Sequence, residues 1–132
     1  MRYVYECPVR WSDLDAYGHV NNARFLTLFE EARVALMFVG AKEAGLTSFE
    51  EGIVIFRHEV DYLRPVDYGP VVRIEMWISE MRASRFTVSY ELFDGDKLAS
   101  RAASVCVPFD LVTQRPRRLS DAERMFLTPW SE

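Results

Sequence analysis

Twelve residues near the amino terminus, Trp11 to Asn22, read WSDLDAYGHVNN and hold two aspartates, one glycine, one histidine and two asparagines just ahead of an apolar run. A carboxylate such as Asp13 or Asp15 can attack a carbonyl carbon itself or take a proton from a water that does. If a helix starts at Asn21 or Asn22, its first backbone N–H groups lack partners and lie at the positive end of the helix dipole. They can stabilise a carbonyl oxygen that gains negative charge, which is the chemistry of an oxyanion hole. The residues alone do not rank Asp13 against Asp15, since an aspartate also caps turns through nearby backbone N–H groups. Gly18 permits positive φ or close approach of a substrate to the backbone. His19 has an ordinary pKa near neutrality and could act as a base. No serine or cysteine nucleophile stands at a useful local spacing, however, and a structural hydrogen bond is the plainer role for it. Asn21 and Asn22 read as helix caps.

The elements that must position this loop follow from periodicity. Tyr3, Val4, Tyr5 and Val9 give a strand over Arg2 to Arg10, ending near Trp11. From Asn22, residues Phe25, Leu26, Phe29, Ala32, Arg33 and Leu36 recur at steps of three and four, which predicts a helix of about four turns with one buried face. Arg24, Glu30 and Glu31 fall mostly on the other side, and Gly40 is placed to end the helix. Beyond Gly52 come four long strand candidates: Ile53 to Leu63, Val71 to Met81, Arg85 to Phe93 and Lys97 to Phe109. Asp94-Gly95-Asp96 is a hairpin signal, and Pro65 and Pro70 bracket another turn. Ser120 to Leu127 predicts a short terminal helix capped by Ser120, with Glu123 completing a capping box. One long helix against one antiparallel sheet is an α+β architecture in which five strands curl round the helix.

Composition bounds the function. The chain of 132 residues has room for one domain, with 49% hydrophobic and 27% charged residues. A formal net charge of −4 argues against a general nucleic-acid binder. Cys7 and Cys106 lack metal-ligand spacing and suit reduced, buried thiols in the cytoplasm. His19 and His58 form no metal cluster, and neither a glycine-rich phosphate loop nor a GxSxG elbow is present. The expectation is an enzyme that needs no cofactor and no metal. No apolar stretch approaches the 18 residues of a membrane helix, and MRYVYECPVRW lacks the apolar core of a signal peptide, so neither membrane insertion nor secretion is expected.

The run VRWSDLDAYGHVNNARFLTLFEEAR resembles the opening of the hot-dog-fold acyl-CoA thioesterases of the 4-hydroxybenzoyl-CoA thioesterase type. Those enzymes show a strand, an aromatic residue, D-x-D-x-x-G-x-V and a long helix. The element order and the later segment VDYLRPVDYGP are similar too, so the likeness covers nearly the whole chain as a single hot-dog domain, 1–132. The resemblance implies that Asp15, the second aspartate, is the catalytic carboxylate, as nucleophile or as general base. It implies that the backbone N–H of Asn22 holds the thioester carbonyl. The asparagine side chain stands where relatives often have tyrosine or histidine, so no side-chain role carries over. Gly18 would line the acyl-binding turn, with His19 beside it as a substrate contact.

Coenzyme A phosphates would meet the turn EMRASRF, through Arg82, Ser84 and Arg85. The basic run QRPRR, Gln114 to Arg118, is an alternative phosphate contact or a solvated link, and reads better as the link. Family members assemble as homodimers, often paired into tetramers, with each site formed between two protomers. The substrate would be an acyl-CoA or an acyl carrier protein thioester. Two rival readings of the same fold are a hydratase or dehydratase using an aspartate with His19, and a non-catalytic acyl-binding protein. Tyr17, Phe25, Phe29, Phe56 and Tyr62 either line an acyl pocket or fill the core.

Overall fold

A computed structural model describes residues 1–69 and 71–132; the Pro70 side of the expected turn lies outside the described residues. The strands are β1 (Tyr3–Pro8), β2 (Ile53–Tyr62), β3 (Val71–Met81), β4 (Phe86–Asp94), β5 (Lys97–Asp110) and a two-residue β6 (Arg115–Pro116). They form one antiparallel sheet in the order β1-β3-β4-β5-β2, with β6 added beside β5. The hot-dog arrangement is therefore present, a curled five-strand path round one long helix of 22 residues.

That helix, α1, begins as Asn22–Val34 and passes without a break through a π-helical segment, Ala35–Gly40, into a last turn, Ala41–Glu43. Gly40 does not end it. Its φ of −64° is ordinary helix, and the stop falls at Gly45, whose φ of +84° closes a Schellman turn. The Leu46 N–H donates to the Ala41 carbonyl at 2.8 Å, and the Gly45 N–H to Lys42 at 3.0 Å. A glycine signals a stop only where positive φ is needed, and the π-helical segment had already carried Gly40 past that point.

The buried face of α1 holds Phe25, Leu28, Phe29, Ala32, Arg33, Leu36 and Met37. It packs on the inward row of the sheet, including Ile74, Met76, Val88, Tyr90 and Leu92. Phe29 lies against Tyr90 with ring centroids 4.8 Å apart. The β4–β5 hairpin turns at Gly95, φ +63°, as its sequence predicted. The terminal helix α2 (Asp121–Leu127) carries the expected capping box between Ser120 and Glu123. Cys7 and Cys106 are both buried and unpaired, and burial pushes the Cys106 thiol up to about 12.

Strand β2 is one edge of the sheet and β1 the other. The hydrogen bonds of β2 run to β5 on one side, most of its residues are half-buried or exposed, and Phe56 is 72% exposed. A bulge between Ile55 and Arg57 shifts its alternation, so Ile53 and Ile55 join His58, Val60 and Tyr62 on the helix side.

Candidate active site

The two aspartates of the loop are separated by what holds them. Asp13 is fully buried and closes a single 3-10 turn, Trp11–Asp13. Its Oδ2 accepts the Arg10 N–H at 2.8 Å, its Oδ1 accepts from the Arg10 guanidinium at 3.1 Å, and its carbonyl accepts the Asn21 N–H at 2.8 Å. Burial alone would raise its carboxyl, but the Arg10 backbone and guanidinium contacts hold it below the usual aspartate range. Both of its oxygens are spent on the turn.

Asp15 is half-buried and differently bonded. Leu14 and Val20 form a β-bridge, and between them the chain folds tightly: the Asp15 N–H donates to the His19 carbonyl at 2.7 Å and the Gly18 N–H to the Asp15 carbonyl at 3.1 Å. Gly18 makes this possible with φ +78°. The Asp15 Oδ1 accepts the Tyr17 and His19 N–H groups at 2.9 and 3.2 Å. Its Oδ2 accepts no hydrogen bond among the described residues. One oxygen thus fixes the side chain while the other stays available.

Helix α1 starts where the sequence placed it. Asn21 is the cap, its Oδ1 accepting the Ala23 N–H at 2.9 Å. The Arg24 N–H is bound by the Asn21 carbonyl. The Asn22 N–H has no protein partner among the described residues, so this donor at the positive end of the helix is unspent. The Tyr62 hydroxyl donates to the Asn22 carbonyl at 2.8 Å and stacks edge-on against Phe25 with centroids 5.2 Å apart, which ties the end of β2 to the start of α1. The segment after β2 clamps the loop from the far side: the Val20 N–H donates to the Val66 carbonyl, and the His19 Nε2 lies 3.4 Å from the Asp67 carboxylate.

Asp15, His19 and Asn22 line one cavity of about 370 Å³ together with Val20, Phe25, Tyr62, Leu63, Arg64 and Pro65. Gly18 shapes its loop without lining it. Of the aromatics, Phe25 and Tyr62 line this cavity, Phe29 fills the core, and Tyr17, 85% exposed, and Phe56 do neither. Arg64 is a cation at this cavity that makes no ion pair among the described residues, and no reading of the loop pointed to it. The segment VDYLRPVDYGP, similar to the family, was the signal that carried it.

Arg82, Ser84 and Arg85 are not in this cavity. They line a larger one, about 540 Å³, with Val54, Phe56, Val107, Phe109 and Pro116. This lies at the β3–β4 turn, separated from the Asp15 end by the 11 residues of β3, roughly 30 Å at strand rise. Arg82 is also occupied by Glu80, at 3.0 and 3.2 Å. The QRPRR run is not a solvated link throughout. Arg117 turns inward and holds the fully buried Glu123 carboxylate at 2.8 and 2.9 Å, which anchors α2 to the body of the domain. No group of three or more His, Cys, Asp or Glu residues that could hold a metal is found among the described residues, and no helix among them is long and apolar enough to cross a membrane.

A carboxylate oxygen and a helix-start N–H, both without partners among the described residues and carried by residues that line one cavity, make a constellation suited to attack on a carbonyl. Comparison with known proteins gives the family. The profile of the thioesterase-like superfamily matches residues 9–127. A 1,4-dihydroxy-2-naphthoyl-CoA hydrolase of Gloeothece citriformis is 27% identical over 124 residues, 89% of this chain and 86% of its own length. Among solved structures, a predicted thioesterase from Bacillus stearothermophilus superposes with a TM-score of 0.89 at 26% identity, covering 100% of this chain and 98% of that one. A thioesterase from Thermus thermophilus, complexed with coenzyme A and zinc, gives 0.79 at 30% identity over 96% and 92% of the two chains. The match takes in the Asp15 loop, all of α1 and the whole sheet path from β2 to β5, and on that extent the chain belongs to the thioesterase-like superfamily.

Proposed function

We propose that the chain hydrolyses acyl-CoA thioesters to the free acid and CoA at the Asp15 loop. The observation that carries this reading is the pairing of a free Asp15 Oδ2 with the unpartnered Asn22 N–H on one cavity. The thioester carbonyl oxygen would accept the Asn22 N–H, and the negative charge that develops on it would be stabilised by the helix start. Asp15 then acts in one of two ways. As nucleophile, it displaces the CoA thiolate to give a mixed anhydride that water cleaves, returning the carboxylate. As base, it takes the proton of a water whose oxygen bonds to the carbonyl carbon, and the proton passes to the leaving thiolate. His19, held by Asp67, contacts the substrate rather than exchanging protons with it. The relatives support a CoA thioester as substrate: a naphthoyl-CoA hydrolase and a long-chain acyl-CoA thioesterase of Escherichia coli, 27% identical over 83% of this chain.

The site reads as half of a complete one. Arg82, Ser84 and Arg85 sit at the wrong end of their own chain to reach a substrate at Asp15, while β2 presents a long unpaired edge. Two β2 strands paired antiparallel about a two-fold axis would bring the 82–85 turn of a second copy to the Asp15 end, where its arginines could hold the CoA phosphates. Sheet faces carrying Val54, Phe56 and Val107 would then be free to join two such pairs.

The test is CoA release from a panel of acyl-CoAs, followed with a thiol reagent. Wild type should release CoA, and Asp15→Asn should lose more than about a hundredfold in kcat/KM. An equally active Asn variant removes Asp15 from the chemistry, and a panel with no turnover removes the hydrolase reading. Sedimentation of the same samples reads the dimer.

A further inference from the structure

A second cavity lies between the same two elements, α1 and β2. The Asp15 cavity is lined by the start of α1 and the end of β2, Asn22 and Phe25 with Tyr62. The second, about 290 Å³, is lined further along the same two elements by Glu30, Arg33, Val34, Met37 and Phe38 of the helix and Ile53 and Ile55 of the strand. Its size lies at the lower end of small-molecule sites, roughly 300 Å³. That is room for one end of a ligand and not for a nucleotide. Apart from Glu30 and Arg33 its wall is apolar.

Arg33 is the exception that matters, 8% exposed on the buried face of the helix. Its Nη1 donates to the Tyr90 hydroxyl at 2.9 Å. Its one carboxylate neighbour among the described residues is Glu30, at 3.8 Å from Nη2, beyond hydrogen-bonding distance and with a side chain 64% exposed to water. A guanidinium has five N–H donors, and one bond is made here among the described residues. Among the described residues the remaining Arg33 nitrogens are not sealed from accessible space, and Arg33 lines this cavity.

The groups around Arg33 do not neutralise it. Burial pushes the Tyr90 hydroxyl up to about 12 and the Cys106 thiol to about 12 as well, so both stay protonated. His58, whose Nδ1 lies 2.7 Å from the Ser104 hydroxyl, is lowered by desolvation and then by Arg33, which favours the neutral ring. A buried cation facing an apolar hollow, with one solvated carboxylate at a distance, is costly unless an oxygen arrives to meet it. As part of the thioesterase reading, on which this rests, we propose that the cavity takes the distal end of the acyl group and selects acyl groups that carry a hydroxyl or carboxylate oxygen there, bound by Arg33. The reach is that of an extended group: Arg33 is 11 positions from Asn22, roughly 16 Å along the axis, and its side chain leans back toward the helix start.

Matched pairs test the idea: dodecanoyl-CoA against its ω-hydroxy and ω-carboxy counterparts, and naphthoyl-CoA against hydroxynaphthoyl-CoA. The wild-type protein should favour the oxygenated member of at least one pair by about tenfold or more in kcat/KM, because a site that hydrogen-bonds an oxygen discriminates against the ligand lacking it. In Arg33→Met, which keeps the stem and removes the charge, the ratio should fall to about one, while Arg33→Lys keeps part of it. No preference in the wild type, or a full preference surviving in Arg33→Met, overturns the proposal; the wild-type ratio decides even if a variant fails to fold. Thioether analogues of the same acyl-CoAs, which bind without turning over, separate this from the hydrolase reading. A Kd preference lost in Arg33→Met with no thioester cleaved leaves Arg33 as the selector and removes the hydrolase. Cleavage with equal Kd and kcat/KM across each pair removes the selector alone.

Discussion

Glu123 in the first turn of α2 and Asp15 just ahead of α1 are two carboxylates beside helix starts, and their oxygens are used in opposite ways. Glu123 Oε1 accepts from Arg117 and the Ser120 N–H, both at 2.8 Å, and Oε2 accepts from Arg117 and the Ser48 hydroxyl, both at 2.9 Å. The group is fully buried. Burial by itself would raise its pKa, yet these four donors hold it down at about 2. Asp15 is half-exposed, with two backbone donors on one oxygen and none on the other among the described residues. A saturated carboxylate can only hold structure. An unsaturated one, fixed by half of its capacity, is oriented and still has a lone pair to offer, which is what positions a reactive group without consuming it.

The contrast can be broken from the structural end first. The Glu123→Gln substitution leaves the partly buried Arg117 charge without its partner and should cost about 2 to 3 kcal/mol in urea unfolding, with CoA release per folded molecule unchanged. Because the folded Glu123 is held below its ordinary value, its contribution is complete above about pH 4.5 and disappears as the pH falls toward about 2. The wild-type protein should lose stability across that window in acid titrations followed by circular dichroism, and the Gln variant should lack this component. Asn21→Ala is the intermediate case. It removes the cap on the Ala23 N–H and should cost about 1 kcal/mol, with a several-fold loss of CoA release as the Asn22 N–H is less firmly placed. The smallest stability effect belongs to Asp15→Asn, within about 0.5 kcal/mol by the same unfolding assay, since the amide oxygen still accepts from Tyr17 and His19. The variant least visible in stability should be the one most visible in catalysis. A large destabilisation by Asp15→Asn would mean that the loop aspartate is structural like Glu123, and the contrast would collapse.

How far the sequence reached depends on the range of the interactions concerned. The Ser120–Glu123 capping box, the Gly95 hairpin and the Asn21–Asn22 helix start are local, three or four residues deep, and each stands where its pattern put it. Gly40 was misread because a stop requires positive φ at that residue, and helical bonding through the π segment supplied negative φ instead. The resemblance, not the spacing, separated Asp15 from Asp13; what the structure adds is that both Asp13 carboxylate oxygens are bonded to Arg10. Arg117 looked like part of a solvated run, and its partner lies six positions on, across a turn that no periodicity describes.

By itself, then, the amino-acid sequence determined the order of elements, the α+β layering and the loop that gathers a carboxylate, a glycine and a helix start, because all of these follow from neighbours along the chain and from the burial of one apolar stripe. Tertiary structure alone decided that Arg64 joins the Asp15 cavity, that Arg82 and Arg85 stand at the opposite end of the sheet, and that Arg33, placed by its spacing on the buried face, meets Tyr90 and an open hollow rather than a carboxylate. Those outcomes rest on contacts between residues tens of positions apart, set by strand register and by the path of α1 over the sheet, and no local pattern in a chain encodes which distant donor meets which acceptor.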